Sequence, residues 1–429
     1  MLTYEEALQH ILQATPAPRT AQVKLQGALG LVLAQPIIAR SDLPGFDNSA
    51  VDGYAVRSTD HEQGSPMVLH VDGQSSAGRP YRDVMRAGQA VRIFTGAAVP
   101  SGAEAVVMQE HVKRQGGRLI IPPPVASPKA TPRSEAEGAA LRQATGGGTI
   151  NSWPTPGQHI RRQGEDLHRG TEVLAAGTRL RPQHLGLLAA LGRARVSVHP
   201  PPTMAILTTG DELQPAGARL KAGQIYESNG LLLGALAQQT GARAANLGQA
   251  RDTIDSLMQK LRRGLACDLL VIAGGVSVGE KDLVRTAARR CGVRELFWRV
   301  NIKPGMPLFV GRRRRTLIFG LPGNPVSVFV TFEEFVKPAL HRLMGRPWVD
   351  GYTTPAVLAD ALRVSTTRQT HFLRVRCAAD GGQLVAYPTN GQGSHQLHSL
   401  AQADGWIRMA ADQGPWPAGT PVLVKQETA

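Results

Sequence analysis

One stretch limits what this chain can fold into more than any other: Asp268-Leu-Leu-Val-Ile-Ala-Gly-Gly-Val-Ser-Val-Gly-Glu-Lys-Asp282. Leu269 to Ala273 is a short, continuous apolar run ended by two glycines, the pattern of a strand buried on both faces in a parallel sheet. Beyond it Leu283, Val284, Ala287, Ala288 and Cys291 fall on one helical face, so the unit is strand, glycine-rich turn and helix. Gly274 and Gly275 let backbone N–H groups approach a ligand, Ser277 adds a hydroxyl, and the helix start favours negative charge. That is a site for an oxyanion. A tight turn that needs glycine for its geometry alone accounts for the stretch equally well.

The same alternation continues on both sides. Met204 to Leu207 reads as a strand followed by Thr208-Thr-Gly-Asp-Glu212, and Ser228-Asn229 caps a helix to about Gln239. Ala244 to Leu247 is the next strand, followed by Arg251-Asp252 and a helix to Arg262. Phe297 to Val300 and Thr316 to Phe319 are further strands, the latter leading into Gly320-Leu-Pro-Gly-Asn-Pro-Val-Ser327 and another helix. In an open α/β sheet ligands bind at the carboxyl ends of the strands, and Asp211, Asp252, Ser277 and Asn324 all fall just past such an end. Pro325 suits the first position of a helix, whose free N–H groups would face the same edge. Two carboxylates there repel a bare anion, but they suit a hard cation such as Mg²⁺ bridged to phosphate oxygens. Taken singly, Asp211 and Asp252 are read first as helix caps.

The N-terminal half is built differently. Thr3 with Glu6 makes a capping box for a first helix with Leu2, Tyr4, Ala7, Leu8, Ile11 and Leu12 on one side, and Val23 to Ala39 adds more packing. The loop Leu43-Pro-Gly-Phe-Asp-Asn-Ser-Ala-Val-Asp-Gly-Tyr-Ala-Val56 concentrates polar side chains. Asp47 and Asn48 read as an Asx-type turn bonded to its own backbone, which leaves Asp52 as the functional candidate. Short runs at Met67 to Val71, Ala90 to Phe94, Ala105 to Met108 and Arg118 to Ile121 predict a small β-rich domain. Pro122 to roughly Trp153 is poor in aromatics and rich in Pro, Ala, Ser, Thr and Gly, which predicts a flexible, dispensable insert. Arg161, Arg162, Gly164, Glu165 and Asp166 then form a charged turn.

At 429 residues several domains are expected. With 48 Lys+Arg against 33 Asp+Glu the formal charge is +15, which attracts phosphates, nucleotides or nucleic acid without choosing among them. No aromatic-and-basic module supports a nucleic-acid binder. The three cysteines, Cys267, Cys291 and Cys377, have neither metal spacing nor an even count, and no apolar run reaches the roughly 18 residues of a membrane span. A reduced, cytoplasmic setting is expected, with no membrane partner. The C-terminal part offers short strands at Phe372 to Cys377, Leu384 to Tyr387, Gly405 to Met409 and Pro421 to Val424. His395 and His398 read as surface-turn residues, and Arg312 to Arg315 as an exposed hairpin tip that is also a natural place for a phosphate contact.

A series of motifs resembles one family. They are Asp47-Asn-Ser-Ala-Val-Asp-Gly-Tyr-Ala55, Arg92-Ile-Phe-Thr-Gly-Ala97, Val106-Val-Met-Gln-Glu110 and Arg161-Arg-Gln-Gly-Glu-Asp166. Thr209-Gly-Asp-Glu-Leu213, Gly274-Gly-Val-Ser-Val-Gly279, Ile302-Lys-Pro-Gly305 and Leu321-Pro-Gly-Asn-Pro-Val-Ser327 follow in order. The chain resembles the molybdopterin molybdenumtransferases, which are similar to the C-terminal enzyme domain of gephyrin. The resemblance implies an α/β multidomain protein: a central three-layer α/β molybdopterin-binding domain, a β-rich insertion domain and a C-terminal β-barrel-like domain. The boundaries expected are 1–42 with 150–175 for an N-terminal domain, 43–149 for the insertion, 176–347 for the α/β domain and 348–429 for the β domain.

It also implies a reaction in which adenylylated molybdopterin and molybdate yield molybdenum cofactor and AMP, with Mg²⁺. By motif position the functional residues are Asp52, Thr95, Glu165, Asp211 and Asp252, with the metal on Asp211 and Asp252. Gly274, Gly275, Ser277, Lys303, Pro304, Pro322, Asn324, Pro325, Ser327, Arg374 and Ser394 would bind molybdopterin, phosphate or molybdate. The implied assembly is a homodimer whose cleft lies between the α/β domain of one copy and the insertion of the other, so that Asp52 and Thr95 act across it. A molybdopterin adenylyltransferase and downstream cofactor-handling proteins are the implied partners. Two departures stand out: Met306 replaces a second basic residue of the Lys-Pro-Gly motif, and Arg285 stands for a lysine that follows the Gly-Glu turn. A noncatalytic pterin-binding scaffold, kept in view by Met306, and a tungsten-preferring insertase are the alternative readings.

Overall fold

The computed structural model describes residues 1–62, 65–124, 150, 152–276, 283–362 and 368–426; Ser277 and most of the 122–153 insert lie outside them. Two compact units make up the chain. One comprises Met1–Gln35, Ala176–Leu185 and Arg195–Ala429, the other Pro36–Ala175 and Gly186–Ala194.

The first unit holds a six-stranded mixed sheet: β1 Thr203–Thr209, β2 Arg243–Ala250, β3 Leu269–Ala273, β4 Arg294–Trp298, β5 Phe309–Arg313 and β6 Thr316–Leu321. The order is β2-β1-β3-β6-β5-β4. β2, β1, β3 and β6 are parallel, whereas β5 pairs antiparallel with both β6 and β4. Helices α1 Asn229–Thr240 and α2 Ile254–Gly264 connect β1 to β2 and β2 to β3, α3 Leu283–Arg290 leads from β3 to β4, and α4 Pro325–Thr331 opens a helical rod that runs on to Leu343.

Three layers follow from the two-residue period of the strands. Met204, Ile206, Leu269, Val271, Leu317 and Phe319 point into one core with α1, the rod and the N-terminal helix. Ala205, Leu207, Leu270, Ile272 and Ile318 point into the other, against α2 and α3. All five residues of β3 are buried, as a continuous apolar run requires. Each such Leu or Ile contributes roughly 1.5–3 kcal/mol on burial. The chain leaves β1 to form β2 on one side and returns to form β3 on the other, so a crevice opens between the carboxyl ends of β1 and β3.

The C-terminal part of this unit is a closed five-stranded barrel. Thr370–Asp380 pairs with both Gln383–Pro388 and Gly405–Met409, and Thr354–Leu358 with Pro421–Gln426 completes the ring. Closure removes the free edges that short strands would otherwise expose. The barrel is tied to the α/β domain at several places. Ile302–Lys303 lies parallel to the start of Thr370–Asp380. Glu334, fully buried in the rod, accepts hydrogen bonds from Tyr4 (2.8 Å), Tyr352 (3.1 Å), Trp406 (3.3 Å) and Lys425 (2.9 Å). A buried carboxylate is tolerated only with such a full set of donors. The first helix, which reads in sequence as packing alone, thus supplies a polar anchor through Tyr4.

The second unit is organised on a six-stranded sheet in the order Ala105–Met108, Gly53–Val56, Gln89–Ile93, Met67–Ser75, Arg118–Ile121 and Lys113–Gln115. The β-rich insertion is present as expected, with two more strands than the periodicity marks. Among the described residues no helix is long and apolar enough to cross a membrane.

Candidate active site

The loops after β1, β2, β3 and β6 converge on one edge of the central sheet. They wall a cavity of about 720 Å³ lined by Thr209, Asp252, Gly274, Gly275, Asn324 and Pro325 among others. A second cavity of about 370 Å³ is lined by Lys303, Pro304, Met306, Ser327, Gln392 and Ser394. Pro322 and Asn324 line both, so the two hollows share a wall.

The glycine pair is fixed by sterics. Gly274 has φ +94°, and a Cβ there would sit 2.5 Å from the carbonyl oxygen of Thr209; at Gly275 (φ +67°) it would meet Thr209 Cγ2 at 2.7 Å. The N–H of Gly274 donates to the Leu321 carbonyl at 3.1 Å. This corrects half of the oxyanion reading: Gly274 spends its donor on the carbonyl at the end of β6, extending the β3–β6 ladder. The N–H of Gly275, which also lines the cavity, makes no backbone hydrogen bond among the described residues. At the start of α4, Val326 donates to the Ser394 carbonyl at 3.1 Å, so that end is also less open to an anion than the sequence implies.

Neither carboxylate caps a helix. Thr253 caps α2, accepting from Ser256, and Glu227, not Ser228, accepts from the N–H of Gly230 at the start of α1. Asp252 Oδ1 accepts from the Thr209 hydroxyl at 2.6 Å, and Asp211 Oδ1 accepts from the Asp252 N–H at 3.3 Å. Each carboxylate is therefore oriented through one oxygen, and the other has no hydrogen-bond partner among the described residues. Two hard, pre-oriented oxygen donors fit Mg²⁺, which is commonly held by one or two carboxylates plus water and phosphate oxygens. No group of three or more His, Cys, Asp or Glu among the described residues forms a complete metal cage.

On the smaller cavity, Asn324 Nδ2 donates to the Ser394 hydroxyl at 2.8 Å, latching the α4 start to the barrel. Arg374, assigned to ligand binding by motif, is only 2% exposed; its Nη2 donates to the carbonyls of Gly391 (2.9 Å) and Gly393 (3.3 Å). Its Nε and Nη1 are buried with no hydrogen-bond partner among the described residues, and burial pulls its pKa down to about 10. It stands behind the loop that carries Gln392 and Ser394. Met306 lines the same hollow and offers sulfur to Gln369 Nε2 at 3.9 Å. Arg285 is held by Glu295 (3.0 Å) and lies 4.2 Å above the Trp298 ring, so its departure from lysine serves an ion pair and a stacking contact rather than a loose cation. Asn229 was legible only as a cap. Its Nδ2 donates to Gly323 at 2.7 Å while its Oδ1 is buried without a partner, and it lines the larger cavity.

The second unit carries its own centre. Asp52 Oδ1 accepts from both the N–H (2.8 Å) and the hydroxyl (2.7 Å) of Thr95. These two bonds, helped by Arg92, hold the Asp52 carboxyl below its ordinary pKa. Arg92 lies 4.9 Å from the Tyr54 and Phe94 rings and donates to Gln109. Glu110 is close enough to feel the Asp52 charge, a neighbour that sequence spacing did not single out. Asp47 is not part of an Asx turn: it accepts from Arg162 Nη1 (2.6 Å) and the Gln163 N–H (2.7 Å), stitching its loop to the charged turn. Asn48 does bond locally, to Phe46. Glu165 accepts from the Arg162 N–H at 2.8 Å within that turn.

Comparison with known proteins completes the picture. Residues 2–192 match the MoeA N-terminal region (domain I and II), residues 205–342 a probable molybdopterin binding domain, and residues 355–426 the MoeA C-terminal region (domain IV). The molybdopterin molybdenumtransferase of Haemophilus influenzae is 33% identical over 99% of this chain and 98% of its own length. Molybdopterin molybdenumtransferase 2 of Mycobacterium tuberculosis is 36% identical over 99% of both chains. The chain belongs to the molybdopterin molybdenumtransferase family. A crystal structure of a molybdopterin biosynthesis MoeA protein from Pyrococcus horikosii covers all of both chains with a TM-score of 0.81 at 29% identity. The family is one of enzymes of molybdenum cofactor biosynthesis, and both cavities lie in the part of the chain that includes its molybdopterin-binding domain.

Proposed function

We propose that this enzyme inserts molybdenum from molybdate into adenylylated molybdopterin and releases AMP, with Mg²⁺. The observation that carries the reading is the shared wall of two unlike hollows. The larger, with Asp252 and Gly275 on its rim and Asp211 bonded to the Asp252 backbone, suits a phosphate ester whose charge is met by a cation. The smaller, with Lys303, Ser327 and Ser394 and the carboxylate-free Arg374 behind its loop, suits a compact tetrahedral dianion. A buried guanidinium without a carboxylate is unfavourable until an anion arrives, so Arg374 favours oxyanion capture.

Asp211 and Asp252 would hold Mg²⁺, which when bound neutralises phosphate charge and polarises the pyrophosphate toward cleavage. Thr209 fixes the Asp252 carboxylate by its hydroxyl, and Asp211 is fixed by the Asp252 N–H. Asn324 and Ser394 hold the common wall, which sets the distance between pterin and oxyanion. Pro322 and Pro325 stiffen the loop that carries it. Asp52 stays ionised near neutral pH because Thr95 favours its charged form, which makes it an acceptor rather than a proton donor. A homodimer in which Asp52 and Thr95 of one copy serve another, handover from a molybdopterin adenylyltransferase and to downstream cofactor-handling proteins, and a cytoplasmic setting belong to the same proposal.

Purified protein given adenylylated molybdopterin, Mg²⁺ and molybdate should release AMP and form active cofactor. Asp211→Asn should abolish both while its unfolding temperature stays that of the wild type. Wild-type turnover by the variant would overturn the reading.

A further inference from the structure

The edge of the central sheet away from the cavities carries a dense group of arginines from neighbouring elements. Arg262 and Arg263 end α2, Arg289 and Arg290 end α3, Arg294 opens β4, Arg312 and Arg313 end β5, and Arg314 and Arg315 form the turn to β6. These nine positions belong to neighbouring elements: α2 packs on α3, Arg294 lies opposite Arg312 in the ladder, and Arg313 Nε sits 3.6 Å from where a Cβ on Gly292 would be. Among the described residues none of them meets a carboxylate at salt-bridge distance. Among the described residues Arg312 donates to the Arg314 carbonyl and Arg315 to the Ala17 carbonyl, and Arg262 also bonds the Cys291 thiol. The bland account is that helix C-termini attract cations. It covers the two helix pairs but not Arg294 or the hairpin run.

We infer that this face is a docking surface for an acidic protein. The chemistry of the cations calls for an acidic partner, and the lack of apolar company decides its class. All nine are arginines, whose planar forks make two-point contacts with carboxylates and phosphates that lysines do not make, so the protein class is chosen by the lack of apolar company. Among the described residues of 232–348 no large hydrophobic side chain is exposed. The arginine-bearing stretch therefore offers no exposed aromatic platform for bases and no exposed apolar anchor for a bilayer. Because the cavities open at the carboxyl ends of the parallel strands and the arginines sit at their starts, a partner held here leaves the reaction site uncovered.

The test uses the full-length protein and fluorescently labelled poly-L-glutamate, with a 30-base-pair duplex DNA (about three helical turns) and anionic phosphatidylglycerol vesicles as the competing classes. One variant changes Arg262, Arg263, Arg289 and Arg290 to Gln; a control of equal charge changes the exposed Arg79, Arg82, Arg86 and Arg118 to Gln. Polyglutamate binding should weaken about tenfold or more in the first variant, change less than about twofold in the control, and fall with added salt. Cofactor formation should be unaffected in both. If the first variant fails to fold, Arg294→Gln with Arg314→Gln should still weaken binding by roughly threefold. Equal weakening in patch and control variants, no binding of polyglutamate, or tighter arginine-dependent binding of duplex or vesicles would each overturn the inference.

Discussion

Two carboxylate centres in this enzyme are held in place by opposite means. On the α/β unit, position is enforced by packing: Gly274 and Gly275 lie against the end of β1 with no room for a methyl group, and Asp252 and Asp211 are hung from Thr209 and from backbone. On the insertion unit, Asp52 stands on an open loop and is held by one neighbour, Thr95, through two hydrogen bonds to a single oxygen. The first design is rigid and intolerant, because interiors at crystal-like density transmit any added atom. The second is adjustable and electrostatic. The difference teaches where a substitution should damage the fold and where it should only retune a charge.

The largest effect should come from the rigid centre. Gly274→Ala places a methyl group 2.5 Å from the Thr209 carbonyl at a φ that L-residues avoid. A loss of about 3 kcal/mol or more in unfolding free energy is expected, with activity reduced to roughly a hundredth or less. Denaturant unfolding and AMP release measured together check it; a stable, active Gly274→Ala protein would erase the contrast between the centres.

Acid should separate the two regions next. Burial, reinforced by the charges of Arg346, Lys337, Lys425 and Arg179, depresses His341 on the rod below its ordinary 6.5 to about 4. The unfolded chain then binds the extra proton more readily, so stability is full above pH 6.5, falls as pH drops toward 4, and levels off below it. The span is roughly 3 kcal/mol. His341→Gln should flatten that slope in unfolding measurements made across the range. For Asp52 the folded pKa is lowered, so the Thr95 bonds help above the ordinary carboxylate range and are lost as pH falls through the depressed value.

The smallest effect belongs to the adjustable centre. Thr95→Val keeps the N–H bond to Asp52 and removes the hydroxyl, so turnover should fall about tenfold with the fold unchanged. The acid limb of the pH–rate profile should move to higher pH, because the carboxylate loses part of what favours its charged form. An unchanged limb would mean that Asp52 does not titrate in the reaction.

Much of the fold was legible because period and punctuation agree. The apolar run Leu269 to Ala273, its glycines and the 3.6-residue stripe after it describe one strand–turn–helix unit without help from elsewhere. Placing Asp211, Asp252 and Asn324 on one edge needed only the rule that such units point their strand ends the same way. What stayed hidden depends on distant partners. Asp47 finds Arg162 and Gln163 more than a hundred residues away in sequence, so local turn chemistry was the wrong frame. Ring closure of the barrel rests on the pairing of Thr370–Asp380 with two strands at once, which no single-strand pattern encodes. Arg374 carries no local sign that its guanidinium is buried, and the N–H of Gly274 reads as free because its acceptor, Leu321, ends another strand about fifty residues on.

The central claim is that the hollow at the ends of β1 and β3 is where the nucleotide ester is held, and soaking crystals of the enzyme with AMP and Mg²⁺ tests it most directly. The account predicts nucleotide density in the cavity walled by Thr209, Asp252, Gly275 and Asn324, with the phosphate on the side of the two aspartates. Nucleotide bound elsewhere on the chain, with only solvent in that cavity, would contradict it.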